Sequence, residues 1–525
     1  MISLLLTRRL VNFSGASFLL VIAWKFILLV FTAQPIPAND AFGYDGAVVN
    51  YLLHGHYCNP SLLMAFPFSA TQVYCIYPPL YQAVLFLWMS VFGPTVLAAM
   101  WFHFVLFVLY ALTLLVIFRR LQTPAWAVNL AGLFWFGITF DDRPDSLAQL
   151  LGMLAVYAWV RSVQSPARCR WAWLAALLVV LAMGTNPEIG GLYFALVWLL
   201  TLGAVGVKQK FPVAPMGFMV VAPMALVALV KYGRPDLWAG FMEHAGQTPS
   251  FTGWRLPTPG DLIKLVRNLP AILFIALLLP QALKAWFTQP RVVGTNEPPV
   301  ALLVCATVAI SLGLILGGLF LFTANWFLIL AHFQPLIVGA FLTLGTRPKT
   351  TFHRWLMPVL AASVLLVSIR AVGMSTWGVA CARDINEAAA RRIVRADLDA
   401  LPSGSTVVMS SAYLYDAMNY PGLRFIHEDW THPNRAGDAN GVLSADARAL
   451  LTLKPAELIL TQFDYYRRYQ AVLAQLSGMP QRVTFRLTNC ARVRAPDSYP
   501  RLQQVVQHIS WAPVRVELDW QQSNR

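Results

Sequence analysis

Acidic, aromatic and histidine side chains are concentrated in three short segments of this chain. The first holds Asp40, Tyr44 and Asp45, followed by His54-Gly55-His56-Tyr57; the second is Tyr77-Pro78-Pro79-Leu80-Tyr81; the third is Asp141-Asp142-Arg143-Pro144-Asp145-Ser146. A partly desolvated carboxylate can accept a proton from a hydroxyl group. A guanidinium group can stabilise negative charge that develops on a phosphate. The three segments therefore contain side chains that suit proton transfer and anion binding.

The elements that position these segments belong to a chain that is too apolar for an ordinary soluble domain. Of its 525 residues, 58% are apolar and 12% are charged, whereas about a quarter of the residues in a soluble domain are charged. A helix needs about 20 apolar residues to cross a hydrocarbon core of about 30 Å. Runs of this kind recur before residue 375 and none follows it, which predicts a polytopic membrane protein.

The sequence predicts an all-α bundle of about eleven membrane-spanning helices. Their continuous apolar runs exclude a membrane β-barrel, whose strands alternate apolar and polar residues. Arg8 and Arg9 precede a first run that is longer than the core of a signal peptide, so it is predicted to be a retained anchor. The predicted spans are 11–31, 96–118, 125–140, 146–160, 171–183, 189–207, 213–230, 269–287, 300–322, 326–344 and 355–372.

Basic residues alternate between successive connections and predict the orientation of the chain. Lys and Arg occur at 8–9, 119–120, 161–170, 208–210, 284–291 and 347–354, whereas 34–95 contains neither. Because basic loops stay in the cytoplasm, we expect a cytoplasmic N-terminus and a long first outer loop, 34–95, that contains interfacial helices. An odd number of spans then places the C-terminal region outside, in the periplasm if the membrane is a bacterial inner membrane.

Several cations depart from this pattern. The outer segment 231–267, which includes Lys231 and Arg234, is predicted either to contact phosphate and lipid or to be an amphipathic helix at the headgroups. Lys25 and Arg370 lie inside predicted spans toward their outer ends. An ionisable residue there indicates a functional site, unless the side chain snorkels to the interface. The chain has a net charge of +15 but no long run of basic residues. Nucleic acid is therefore excluded as a partner.

Two pairs of cysteines share predicted outer regions. Cys58 and Cys75 lie in the first outer loop, and Cys381 and Cys490 lie in the C-terminal region. Only outer pairs persist as disulfides in an oxidising compartment. Each pair is therefore predicted to form a bridge, with two buried thiols as the alternative.

Three histidines and one further carboxylate are weaker candidates for functional residues. His54 and His56 lie two residues apart, a spacing that a metal site in a loop can use, and Glu188 and His332 are candidates for a pocket at the outer face. A loop carboxylate and a packed histidine are the alternatives for the last two. The segment His427-Glu428-Asp429-Trp430-Thr431-His432 separates its histidines by five residues rather than four, so a zinc-protease helix is excluded.

The C-terminal region is more polar than the rest of the chain. Runs 405–409 and 457–460 are typical of strands, and 465–476 is typical of a helix. The sequence therefore predicts two domains, a transmembrane domain at 1–378 and a small soluble α/β domain at 379–525.

The outer segments resemble the motifs of the GT-C superfamily of membrane glycosyltransferases, in the group that contains lipid A aminoarabinose transferase and the protein O-mannosyltransferases. Members have an Asp-Glu-x-x-Tyr motif, a glycine-containing turn and then Lys- or His-Pro-Pro-Leu. Asp40, Tyr44, Gly55 and Pro78-Pro79-Leu80 match these positions. In architecture the resemblance covers about residues 1–350. Ala41 replaces the motif's glutamate and Tyr77 its basic residue, so a divalent metal is possible but not supported, and no cofactor is required.

The resemblance implies that a sugar passes, with inversion, from a polyprenyl-phosphate donor to a hydroxyl acceptor, which is a lipid, a glycan or a protein. Asp40 is then the general base, with Asp45 as its rival. Asp141 and Asp142 are implied to orient the acceptor or the sugar, and one aspartate of 141–145 is expected to cap the next helix. The implied substrate contacts are Tyr44, Asp45, Tyr77, Pro78, Tyr81, Arg143 and Asp145.

Two other classes of function stay open. A transporter or flippase for a lipid-linked sugar also needs outer cavities and intramembrane charges, but the internal repeats that are typical of transporters are not found in the sequence. A receptor or assembly scaffold is the third alternative. The long first outer loop favours the enzyme.

Overall fold

The protein is represented by a computed structural model. It describes residues 15–34, 36–37, 41–134, 143–206, 212–247, 300–320, scattered residues between 362 and 380, and 386–430, 444–477, 483–490 and 510–520. Asp40, Asp141, Asp142, His332 and Cys381 lie outside these residues.

The N-terminal part of the chain is helical. A first helix, α1 (Ala16–Thr32), leads into the outer loop, which forms α2 (Ala41–His54), a 3-10 turn (Pro60–Leu62), α3 (Pro67–Thr71) and α4 (Leu80–Phe92). The helices that follow are α5 (Val96–Arg120), α6 (Ala125–Phe134), α7 (Asp145–Gln164), α8 (Arg168–Met183), α9 (Pro187–Gly206), α10 (Ala214–Gly233), α11 (Pro235–Gln247) and α12 (Val300–Phe320).

These helices confirm most of the apolar runs as helical. Eight of the predicted spans overlap a described helix, while 269–287, 326–344 and most of 355–372 lie outside the described residues. Within the described part of the chain, four helices are both long and apolar enough to cross a membrane: Val96–Arg120, Asp145–Gln164, Pro187–Val205 and Ala214–Gly233. The count of eleven spans stays a prediction.

Close contacts between helices depend on small residues, as is typical of membrane bundles. Gly152 of α7 lies against the ring of Tyr193, and a Cβ at this position would overlap that ring. Gly190 of α9 lies against the backbone of Met183 at the end of α8 in the same way. The two glycines let α7, α8 and α9 approach one another closely, and this packing sets where the ends of α7 and α9 lie.

The C-terminal region forms a mixed five-stranded sheet. Its strands are β1 (Thr406–Met409), β2 (Arg424–His427), β3 (Glu457–Thr461), β4 (Val483–Cys490) and β5 (Pro513–Trp520), in the order β2-β1-β3-β5-β4. β1 pairs in parallel with β2 and β3, and β5 pairs antiparallel with β3 and β4. The helices around it are α13 (Glu387–Ala400), α14 (Ser411–Ala417), α15 (Ala445–Leu453), a π-helical turn (Tyr465–Tyr469) and α16 (Gln470–Ser477).

The carboxyl ends of the parallel strands carry buried polar side chains. Ser410, directly after β1, donates a hydrogen bond to Asp464 at 2.5 Å. Ser411 Oγ lies 2.7 Å from Nε2 of His427, the last residue of β2. Glu428 follows His427 in a 3-10 turn (Glu428–Trp430). His427 therefore ends a strand and is hydrogen-bonded at the edge of the sheet. It does not lie on a metal-binding helix.

The C-terminal region packs on the end of the bundle where the first outer loop lies. The indole N–H of Trp511 donates to the carbonyl oxygen of Ala33, directly after α1, at 3.1 Å. Phe42 in the loop and Tyr415 in α14 contact each other edge to face, with ring centroids 4.8 Å apart. Both regions share one hydrophobic core. The first loop and the sheet thus lie on the same side of the helices. That residues 379–525 form a separate domain stays a prediction.

Candidate functional site

Side chains from separate segments converge at the outer-loop end of the bundle. Arg143 Nη2 donates a hydrogen bond to the Tyr44 hydroxyl at 3.4 Å, and the guanidinium carbon lies 5.5 Å from the centroid of the Tyr44 ring. The rings of Tyr44 and Tyr77 meet edge to face at 5.2 Å. An arginine on an aromatic face gains a cation–π contact in addition to the hydrogen bond. The three sequence segments are therefore brought together around Tyr44.

Asp145 joins this cluster from the first turn of α7. Its Oδ2 lies 3.6 Å from Arg143 Nε, and both side chains are mostly buried, with 15% and 17% exposed. Its Oδ1 accepts a hydrogen bond from Asn186 Nδ2 at 2.5 Å. A carboxylate at a helix N-terminus is also stabilised by the helix dipole. Asp145 therefore fixes Arg143 and links α7 to the start of α9.

Asn186 is a member of the cluster that the sequence did not single out. Its side-chain oxygen accepts hydrogen bonds from the backbone N–H groups of Glu188, at 2.9 Å, and Ile189, at 3.2 Å. This is the arrangement of a helix N-cap, and asparagine followed by Pro187 is a sequence signal for one. Asn186 thus caps α9 with its oxygen and holds Asp145 with its amide. The Glu188 side chain is exposed beside this cap.

The Pro-Pro-Leu segment is tied to the same end of the bundle. The backbone N–H of Leu80 donates to the carbonyl oxygen of Gly184, between α8 and α9, at 3.3 Å. Pro78 is half-buried in the turn before α4. On the other side of Tyr77, the backbone N–H of Tyr74 donates to the carbonyl oxygen of Tyr57 at 2.9 Å. Backbone hydrogen bonds on both sides therefore hold Tyr77 next to Tyr44.

The three carboxylates predicted to act in the chemistry flank this cluster in sequence. Asp40 precedes α2 by one residue, and Asp141 and Asp142 precede Arg143 directly. The described cluster offers a guanidinium group, tyrosine hydroxyls and one carboxylate in a partly buried setting, a combination that can hold an anionic group and a sugar.

Asp45 and Tyr81 are completely buried, and their contact with substrate stays a prediction. Oδ1 of Asp45 accepts a hydrogen bond from the Tyr81 hydroxyl at 2.7 Å. Oδ2 accepts one from the Tyr415 hydroxyl at 2.6 Å. Burial raises the pKa of Asp45 from 3.8 to about 7, and the two tyrosines act against this rise. Both carboxylate oxygens are used inside the protein.

The predicted disulfide between Cys58 and Cys75 is not formed, since both are free thiols. Cys58 Sγ accepts a hydrogen bond from Asn50 at 3.4 Å, and Cys75 Sγ lies 3.5 Å from Ser69 Oγ. Sharing a loop does not by itself bring two sulfurs into bonding geometry. Cys490 ends β4, and its predicted partner Cys381 lies outside the described residues.

The histidine pair of the first loop is not part of a metal site in the described structure. His54 and His56 are exposed, and His54 Nε2 lies 2.8 Å from the carbonyl oxygen of Met418. Among the residues that the structure describes, no group of three or more His, Cys, Asp or Glu side chains has the geometry to hold a metal ion.

The four cations predicted to contact phosphate or lipid do not join the described cluster. Lys25 lies on the buried face of α1. Lys231 is exposed beside the rings of Tyr232 and Trp238. Arg234 pairs with Asp236 at the surface, and Arg370 is exposed.

The fold of this chain is similar to that of a solved structure, in agreement with the resemblance of the outer-loop motifs. A crystal structure of ArnT from Cupriavidus metallidurans bound to undecaprenyl phosphate aligns over 96% of this chain and 98% of its own length, with a TM-score of 0.50 and 14% identity. ArnT in the apo state aligns over 95% and 97%, with a TM-score of 0.47 and 13% identity.

A third solved structure is similar over less of its own length. AglB, the oligosaccharyltransferase of Archaeoglobus fulgidus, in complex with an inhibitory peptide and a dolichol-phosphate, aligns over 88% of this chain and 71% of its own, with a TM-score of 0.46 and 10% identity. No protein-family model and no curated protein matches the sequence.

Proposed function

We propose that this protein is an inverting glycosyltransferase that moves a sugar from a polyprenyl-phosphate donor to a hydroxyl acceptor at the outer face of the membrane. The observation that carries the proposal is the convergence of Tyr44, Tyr77, Arg143 and Asp145 at one end of the bundle. The similarity in fold to ArnT solved with undecaprenyl phosphate supports a lipid-phosphate donor. We place the protein in a bacterial inner membrane, with its C-terminal region in the periplasm.

The proposed reaction makes one bond and breaks one. The acceptor oxygen attacks the anomeric carbon from the face opposite the phosphate, and the bond between that carbon and the phosphate oxygen breaks. The electron pair leaves with the polyprenyl phosphate, and the acceptor's proton passes to the Asp40 carboxylate. No oxidant or reductant is needed for this balance.

Arg143 is the proposed contact for the leaving phosphate. Cationic groups that are already in place where negative charge develops are usually the largest catalytic contribution. Asp145 and Tyr44 hold the guanidinium group in one direction before substrate binds. Tyr44 and Tyr77 are proposed to contact the sugar, and Asp141 and Asp142 to orient the acceptor.

The test is release of polyprenyl phosphate from a polyprenyl-phosphate sugar by the purified protein in liposomes. Release is expected only when a hydroxyl acceptor is added, and the glycoside formed should have the inverted anomeric configuration. Asp40→Asn should abolish release while the protein stays folded. Asp519→Asn, which changes an exposed carboxylate at the end of β5, is the matched control and should retain activity.

Two results would count against the transferase. Movement of the labelled sugar across the bilayer without bond cleavage would assign the protein as a flippase or transporter. Full activity of the Asp40→Asn variant would show that Asp40 is not the general base. Asp141 and Asp142 would then be the candidates for that role.

A further inference from the structure

One segment of the C-terminal region lies along the helix that carries the first-loop motif. This segment, residues 411–418, consists of α14 and the residue after it. Its polar contacts with α2 occur at the start, in the first turns and at the end of that helix: Phe42 N–H to Ser411 Oγ at 3.3 Å, Tyr415 hydroxyl to Asp45 Oδ2 at 2.6 Å, and His54 Nε2 to the Met418 carbonyl oxygen at 2.8 Å. The C-terminal region therefore holds α2 along its length.

Asp45 is the point where this contact reaches the membrane bundle. Its second carboxylate oxygen accepts the hydrogen bond of Tyr81 in α4. The Tyr81 hydroxyl also lies 3.1 Å from His103 Nε2 in α5. One buried carboxylate thus joins α2, α4 and α14, with α5 behind them.

The contact also fixes the rotation of α2. Successive residues of an α-helix point about 100° apart around its axis, because there are about 3.6 residues per turn. Tyr44 is the residue next to Asp45, and it is the residue of α2 that meets Arg143. When Asp45 is held between Tyr81 and Tyr415, the direction of Tyr44 is set as well. The same constraint acts on the start of the helix, which follows Asp40.

Close packing on a neighbouring face of α2 supports this inference. Asn59 Nδ2 donates to the carbonyl oxygen of Phe42 at 2.9 Å. A Cβ at Gly46 would overlap the Asn59 side chain, so glycine is what allows this approach. Asn59 and residues 411–418 thus hold α2 on two faces, and a small rotation of the helix would break contacts on both faces.

We propose that Asp45 and Tyr415 are positioning residues, and that the C-terminal region maintains the geometry of the transfer site through their hydrogen bond. This inference rests on the proposed function, because it assigns the two residues a part in that reaction. It predicts that the Tyr415 hydroxyl affects turnover only through Asp45.

The experiment is a double-mutant cycle in the full-length protein with Tyr415→Phe, Asp45→Ala and the double variant. Tyr415→Phe keeps the ring that packs on Phe42 and removes only the hydroxyl, and Asp45→Ala removes both acceptor oxygens. We expect Tyr415→Phe to lower kcat about tenfold, because a displaced α2 moves Tyr44 away from its position in the site, with a smaller change in the KM for the donor. In the Asp45→Ala background the same substitution should have almost no further effect, since coupled residues are not additive.

Hydrogen exchange of the α2 amides gives a second readout that does not depend on activity. Tyr415→Phe should accelerate exchange in residues 41–54, whereas Tyr420→Phe, which removes a hydroxyl that does not touch the loop, should not. Additive effects on kcat, or unchanged exchange in Tyr415→Phe, would overturn the positioning role. If the wild-type protein released no polyprenyl phosphate, the proposed function would fail, and the exchange result would still show whether the contact holds α2.

Discussion

The carboxylate of Asp45 and the hydroxyl of Tyr415 lie 2.6 Å apart, although 370 residues separate them in the chain. Both residues are buried, and no cation accompanies the carboxylate among its described contacts, which are two tyrosine hydroxyls. Burying a carboxyl group without a cation favours its neutral form. The contact is therefore costly when Asp45 is charged, and that cost can be measured.

Asp45→Asn is expected to make the protein more stable at pH 8 and less active. The pKa of Asp45 is raised from 3.8 to about 7 in the folded protein. Between about pH 4 and pH 7, Asp45 is deprotonated in the unfolded chain but keeps its proton in the folded protein. The free energy of unfolding therefore falls as the pH rises through this window and is constant above about pH 7. The difference corresponds to at most about 4 kcal/mol, at about 1.4 kcal/mol for each pKa unit. Asparagine does not titrate, so the variant does not lose this free energy of unfolding as the pH rises.

The measurement is the thermal unfolding midpoint of both proteins in detergent between pH 4 and pH 8. The midpoint of the asparagine variant should rise relative to wild type across this window, while its rate of polyprenyl phosphate release is lower at every pH. A constant difference in midpoint from pH 4 to pH 8 would show that Asp45 does not have a raised pKa.

Asn186→Ser separates the two roles of Asn186. Serine caps a helix about as well as asparagine, so the stability of α9 should change by less than about 1 kcal/mol. Serine lacks the amide that donates to Asp145, and loss of a hydrogen bond to a charged group costs about 1.5–3 kcal/mol. The unfolding midpoint should therefore fall only by the loss of the Asp145 contact, while the rate of transfer should fall about 100-fold because Asp145 and Arg143 are displaced from their positions. A rate of transfer equal to that of wild type would show that the Asn186 amide does not position the site.

Arg143→Lys should impair activity although it keeps the charge. Lysine cannot spread over the Tyr44 ring or reach Tyr44 and Asp145 at once, because its ammonium group is a compact point charge. We expect a fall in kcat of at least about tenfold, and a larger one for Arg143→Gln, which also removes the charge. The ranking of wild type, lysine and glutamine in polyprenyl phosphate release checks this. Equal activities of the lysine variant and wild type would show that charge alone is required.

Much of the fold follows from local sequence. The run 96–118 became α5, whose N-terminus is capped by Thr95 through a hydrogen bond to Ala98 N–H at 3.2 Å. The strand-like runs at 405–409 and 457–460 became β1 and β3. In each case the signal is a continuous apolar segment with a polar residue at its border, which a single sequence contains.

The site was predicted less completely, for reasons of distance and packing. Tyr44, Tyr77, Arg143 and Asp145 were singled out by the motifs and residue types of the outer segments, and the structure brings them together. Asn186 was missed because asparagine before proline signals only a helix N-cap and does not indicate that its amide also donates to Asp145. The bond between Asp45 and Tyr415 depends on how a distant sheet packs on the bundle. The thiols of Cys58 and Cys75 show the same limit, since their separation in space does not follow from their spacing in sequence.

The adjacent glycines at the start of α9 give a matched test of how packing supports the site. A Cβ at Gly190 would overlap the backbone of Met183, whereas a Cβ at Gly191 meets nothing within 4 Å. Gly190→Ala must therefore push α9 away from α8, and overpacking of this kind costs about 1–3 kcal/mol or more. Gly191→Ala adds the same methyl group in open space and should gain up to about 1 kcal/mol from helix propensity.

The displacement in Gly190→Ala also reaches the site, because the Gly190 N–H donates to the carbonyl oxygen of Asn186 at 2.8 Å. Moving the first turn of α9 moves the amide that holds Asp145. We expect a lower unfolding midpoint and a lower rate of polyprenyl phosphate release for Gly190→Ala, and wild-type values or a slightly higher midpoint for Gly191→Ala. If the two alanine variants behaved alike in both measurements, the close approach of α8 and α9 would not be what positions Asn186.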